Sequence, residues 1–196
     1  MSNQVVIQID PVNLEQKVKA LSHVKDGVPK ALMRTLNYVL PTMATNAARE
    51  VSSRYIVAQK EVKSKLVREK ANMANLSITM LSKGRPIRLA KFKTKPNKRP
   101  GVKGAPTAFA QVMKSSGGSR IPGAFMTGFV AGAGAHSGIF VREGNSRLPI
   151  RQLHGPGVAQ MLNHEEIRDA IQEKAAERFN SRIDHEIKFL LSKAGG

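Results

Sequence analysis

Apolar residues in this chain recur every three or four positions toward both ends and every second position in the middle. That change of period constrains the fold more than any other feature, because it asks for helices at the ends and strands between them. Val28, Leu32, Leu36, Val39, Met43, Ala47 and Val51 form one stripe of a helix predicted over Pro29 to Ser52. Pro41 lies inside it, donating no N–H and crowding the carbonyl of Asn37, which predicts a kink rather than two helices. Upstream, Val5, Ile7 and Ile9 alternate as a strand, and Asp10-Pro11 opens a helix carrying Leu14, Val18 and Leu21. Asp26-Gly27 ends it. A short basic helix is expected over Ala58 to Val67.

At the other end, Gly155-Pro156-Gly157 opens a short helix that runs through Leu162, and Asn163 is placed to cap a long final one. Glu165 and Glu166 sit in its first turn, where the helix dipole favours negative charge. Ile167, Ile171, Ala175, Phe179, Ile183 and Ile187 step by four, so the stripe turns by about 40° at each step. Two arrangements cover such a stripe: the helix curves over its own sheet, or its far end packs on a neighbouring subunit.

In the middle, Leu76, Ile78 and Met80 read as a strand, and Lys83-Gly84-Arg85-Pro86 as a turn. Ile87, Leu89 and Lys91-Phe92-Lys93 would form its partner strand. Thr94 to Pro106 has almost nothing to bury and reads as an exposed basic arm or hairpin tip. Thr107 to Lys114 and Ser137 to Arg142 give two more strands, separated by a glycine-rich turn and Ile121 to Phe125. The expectation is an α+β fold: a small, mainly antiparallel sheet packed against helices from both chain ends. It would form one domain over residues 1–196, with the arm at 94–106 projecting from it.

Charge is as unevenly placed as hydrophobicity. The net charge is +18, which calls for a negative partner or serves solubility. Residues 1–69 hold 11 basic and 6 acidic side chains, residues 70–142 hold 13 basic and none acidic, and residues 143–196 hold 8 of each. Nine of the basic residues, from Lys83 to Lys103, fall within 21 positions. Lys91, Lys93 and Lys95 share one face of a strand and, with Lys98, Arg99 and Lys103, are the candidate contacts to nucleic-acid phosphates or an acidic protein. A plain solvated loop is the bland alternative. Trp is absent and only Phe92 and Phe109 lie nearby, so base stacking is not expected and a DNA contact would be indifferent to sequence.

Catalytic patterns are missing. There is no cysteine, hence no disulfide, thiolate metal site or cysteine nucleophile. The five histidines lack the spacing of a metal-binding helix face, so neither metal nor cofactor is expected. His164-Glu165-Glu166 and Asp184-His185-Glu186 fit the solvated face of an amphipathic helix. The run Gly128…Gly132-Ala133-Gly134…Gly138 fits neither the dinucleotide fingerprint nor a phosphate loop. Ile121 to Val141 is uncharged over 21 residues, but its five glycines make a poor membrane helix. The amino terminus lacks the pattern of a secretory signal, and a soluble protein is expected.

Three pieces of the second half occur in a telling order. They are Ile121-Pro122-Gly123-Ala124-Phe125, then Gly138-Ile139-Phe140-Val141-Arg142, then Arg147-Leu148-Pro149-Ile150-Arg151-Gln152-Leu153-His154-Gly155-Pro156-Gly157-Val158. Together they resemble the minor tail protein Z family of tailed bacteriophages and prophages. Arg54-Tyr55-Ile56, Val62-Lys63 and Ile183-Asp184-His185-Glu186-Ile187 are similar to it too, so the resemblance spans roughly residues 28–191. It implies a non-enzymatic tail-completion or head–tail joining protein, ringed at the head-proximal end of the virion tail and present in the host cytoplasm during assembly. The ring would be a hexamer by analogy with tail symmetry. It also implies partners among tail-tube, terminator and head-connector proteins, a part in seating the DNA end, and no membrane. The family has no catalytic residues to carry over. Pro122, Gly123, Pro149, Gly155 and Pro156 would shape the backbone, Phe125, Phe140, Leu148 and Ile150 would be core, and Arg142 completes the motif. A free-standing DNA-binding protein indifferent to sequence is the alternative.

Overall fold

A computed structural model of the chain describes residues 19–21, 23–82, 85–95, 108–131 and 134–194. The strand expected at Val5 to Ile9 and most of the helix after it lie outside these residues. What is described of that region is a 3-10 turn, Lys19–Leu21, with Leu21 buried.

Two long helices form the backbone of the molecule. The first, α1 (Gly27–Arg54), extends the expected helix by two residues at each end. The last, α4 (Glu165–Ala194), runs antiparallel to it, as cross-links along their length record. Arg34 near the start of α1 meets Glu186 near the end of α4, while Glu50 meets Lys174 and Arg54 meets Glu166. Small residues make the close approach possible: Ala31, Ala44, Ala47 and Ala48 of α1 are buried beside Leu36, Val39, Leu40, Met43 and Val51. All six apolar residues of the walking stripe are buried too. The helix is therefore covered by α1 and the Lys19–Leu21 turn, rather than by a sheet, and its far end finds partners within the chain.

Pro41 sits on the exposed face, and α1 continues through it as one helix. Asn37 is tied across to Ala71 by two hydrogen bonds: its side-chain amide donates to the Ala71 carbonyl, and its side-chain oxygen accepts from the Ala71 N–H, both at 2.9 Å.

The middle of the chain departs further from expectation. A five-residue helix, α2 (Gln59–Lys63), gives way to β1 (Leu66–Glu69), whose first two residues fall within the helix expected over Ala58 to Val67. Antiparallel pairing of β1 with β2 (Thr79–Ser82) overrides the helical pattern, setting Leu66 opposite Ser82 and Glu69 opposite Thr79. Leu76, expected inside, stands outside the strand and exposed. Residues 87–93 do not form β2's partner. Ile87, Leu89 and Phe92 are all buried, a spacing that a 3-10 turn at Leu89–Lys91 satisfies and a strand does not.

Two three-stranded antiparallel sheets complete the fold. One joins β3 (Lys93–Lys95), β4 (Phe109–Gln111) and β5 (Ser119–Arg120). The other joins β6 (Ala124–Ala131), β7 (Gly134–Arg142) and β8 (Ile150–Gln152). The single expected sheet is thus three small ones, and the uncharged 121–141 segment is mostly the β6–β7 hairpin. A short helix, α3 (Val158–Leu162), leads into α4. The Gln160 side chain caps α3 by accepting the Gly157 N–H at 2.9 Å. Asn163 ends α3 rather than capping α4, whose first bonds run from Ile167 and Arg168 to the His164 carbonyl. The architecture is α+β, with antiparallel sheets between helices from the two halves.

Candidate interaction surface

The acid-free third of the sequence becomes two distinct surfaces. On the first, the three lysines expected on one strand face separate. Lys91 closes the 3-10 turn and pairs with Glu61 at 3.3 Å. Lys93 and Lys95 lie on β3, exposed on either side of half-buried Thr94, so only these two share a strand face. Lys98, Arg99 and Lys103 lie outside the described residues.

Beside Lys91 is a cleft of about 360 Å³ that the sequence does not announce. Glu61 and Lys65 come from α2 and the turn after it, Arg85 to Lys91 form another wall, and Gln152 at the end of β8 and His154 just beyond it close the cleft. The walls are fixed by main-chain bonds: Leu89 N–H donates to the Leu153 carbonyl at 3.1 Å, and Gly155 N–H to the Ile87 carbonyl at 2.8 Å. Burial of Ile87, Leu89 and Phe92 anchors the same segment from beneath. Arg85 and Arg88 belong to the basic run, but Lys65 and His154 arrive from segments far away in sequence. Only the tertiary pairing brings them together.

Among the described residues, Lys65, Arg85 and Arg88 have no carboxylate within ion-pair distance, and Glu61 is the cleft's one acid. Like charges held together raise the local potential, and an anionic group entering the cleft relieves it.

The second surface carries the motif residues. Gly123, after exposed Pro122, has φ +70°, the left-handed conformation that turns the chain into β6. Phe125 and Phe140 face each other across β6 and β7, with ring centroids 6.5 Å apart. The Arg142 guanidinium lies 5.0 Å from the Phe125 ring centre, and it also donates to the Arg147 carbonyl. Ile150 is half-buried on β8, while Leu148, expected in the core, is 67% exposed, next to exposed Pro149. The loop over 143–149 projects it outward, and with Phe125, Arg142 and Ile150 it lines a cavity of about 440 Å³. Gly155 does a different job: a Cβ there would stand 2.6 Å from the Phe92 ring. With half-buried Pro156, it brings the chain from the cleft into α3.

A third cluster corrects the reading of Asp184-His185-Glu186 as a solvated face. Asp184 and His185 are exposed, but Glu186 is 1% exposed. Arg34 Nε donates to it at 2.5 Å, and Arg182 binds its other oxygen. Arg182 also lies over the Tyr38 ring, and Arg34 over Phe189. Because the stripe walks round α4, the inward face reaches position 186 by the end of the helix, where a carboxylate must be matched by cations.

Among the described residues, no group of three or more His, Asp or Glu is placed to hold a metal ion, and no helix is long and apolar enough to cross a membrane. Fold and surface together define an α+β protein with a basic cleft on one surface and an exposed leucine beside a cavity on another. The chain belongs to the prophage minor tail protein Z family, whose model matches residues 13–194, nearly its whole length. It is thus a phage minor tail protein with a structural role in the tail. No curated protein and no solved structure matches it.

Proposed function

We propose that the protein is a non-enzymatic subunit of a ring at the head-proximal end of the tail, completing the tail and joining it to the head. Membership of the tail protein family supports the tail role. The observation that carries the finer reading is the segregation of charge: residues 70–142 hold 13 basic and no acidic side chains, and five of the basic ones, Arg85, Arg88, Lys91, Lys93 and Lys95, lie on β3 or line the adjoining cleft. A subunit between DNA-filled head and tail needs a surface that holds a negatively charged neighbour, and this one is built for that. Its partners are copies of itself, six by analogy with tail symmetry, together with tail-tube, terminator or connector proteins.

Electron microscopy of virions carrying a labelled chain tests the location, with density confined to the head-proximal tail end as the expected result. Label along the tail shaft or at its tip would overturn it. Neutralising Lys91, Lys93, Lys95, Lys98 and Arg99 together should leave the chain folded and sharply reduce head–tail joining. Full infectivity of that variant would make the basic segment dispensable. If the purified chain instead binds duplex DNA with steep salt dependence and never enters virions, it is a free-standing DNA-binding protein.

A further inference from the structure

We infer that the basic cleft receives the acidic face of α4 from a second copy of the chain, forming a head-to-tail contact between different surfaces. The inference rests on the ring reading above and names the surfaces that would make the ring.

The opposite charge is found on the same molecule. Glu165, Glu166, Asp169, Glu173 and Glu177 are all exposed. At about 100° per residue they occupy an arc of roughly 120° on the first half of α4. Within that stretch, no lysine or arginine falls on the arc; its other members are Ala176 and Asn180. The arc lies opposite buried Ile167, Ile171 and Ala175, so it points away from α1. Glu166 pairs with Arg54 and Asp169 with Arg168, while Glu165, Glu173 and Glu177 have no cation within ion-pair distance among the described residues. No residue of this face pairs with a residue of the cleft inside the chain. Each surface lacks a counter-charge that the other supplies.

The cleft suits a protein better than a nucleic acid. Glu61 stays within it, paired to Lys91, and would repel a continuous phosphate backbone while accepting donors from a protein partner. No Phe, Tyr or Trp lines it; His154 is its one aromatic ring, too few for a platform on which successive bases stack. Exposed Lys93 and Lys95 on neighbouring β3 extend the positive surface. Because the two surfaces differ, the contact is heterologous and propagates from copy to copy until it closes on itself.

Reciprocal charge reversal tests this by light scattering at low ionic strength. One variant carries Lys65→Glu, Arg85→Glu and Arg88→Glu; the other carries Glu165→Lys, Asp169→Lys and Glu173→Lys, which spares the Arg54–Glu166 pair. Circular dichroism first establishes that both are folded. Each alone should self-associate at least about tenfold more weakly than the unaltered chain. An equimolar mixture should recover association, since the acidic helix face of the first meets the intact cleft of the second and the two reversed surfaces meet each other. The inference fails if the unaltered chain stays monomeric, if either variant associates normally, or if the mixture gains nothing. A cleft variant that loses duplex DNA binding while associating normally would assign the cleft to nucleic acid. These outcomes are separate from the tail role: labelled virions can place the protein at the head-proximal end even when the reversed chains associate normally.

Discussion

Glu186 shows how one residue can be read correctly by type and wrongly by place. A carboxylate at 1% exposure is tolerable only because Arg34 and Arg182 both reach it. The arginine side chains are 46% and 26% exposed, so they can turn to water if the carboxylate is removed. Glu186 cannot. Urea denaturation of Glu186→Gln should therefore show a loss of about 1–3 kcal/mol, and Arg34→Met with Arg182→Met about 3–5 kcal/mol. Equal losses would mean that the cluster is not held by burial of the acid. Gly155→Ala brings a methyl group against Phe92 and should cost about 1–3 kcal/mol, with Phe92→Leu restoring part of it. In sequence, Gly155 reads as turn chemistry; the ring that requires it is 63 positions away. Nothing local to either residue reveals the contact.

At the scale of elements, helices were legible and sheets much less so. The α1 stripe repeats through seven turns and overwhelms local exceptions, including Pro41. The strand expected over Thr107 to Lys114 contains β4, but β5 and β8 have three residues or fewer, too short for alternation to be distinguished from chance. Strand β1 is assigned by its pairing with β2, a tertiary event that a window of sequence does not contain. The candidate surface divides in the same way: its charge was visible in the count, and its cleft was not, because the walls come from three separate segments. Phe179 is buried at the middle of α4 and belongs to the stripe that α1 covers. Phe179→Ala should lower stability by about 3–5 kcal/mol, read as a fall in the urea midpoint. A change below about 1 kcal/mol would show that the helix pair contributes little to stability.

Across the whole molecule, the two ends of the charge distribution lie on different elements, while Leu148, the most exposed large apolar side chain among the described residues, lies on the loop over 143–149. Leu148→Asp should leave thermal unfolding within about 0.5 kcal/mol of the unaltered chain, since the side chain is already 67% exposed. If the open cavity beside it docks a tail component, the same change should reduce incorporation into tails, measured by quantifying the protein in purified particles. Normal incorporation would leave that loop without a docking role. The antiparallel pairing of α1 with α4 also sets a timetable. Arg34 and Glu186 are 152 positions apart, Tyr38 and Arg178 are 140 apart, and Glu50 and Lys174 are 124 apart. During synthesis the ribosome makes α1 long before its cover, so the apolar side of α1 waits while three sheets emerge. Contacts this distant slow the final docking and lengthen the interval in which incomplete chains can stick together. The same delay applies to the acidic face, because it lies on α4, the helix that packs α1.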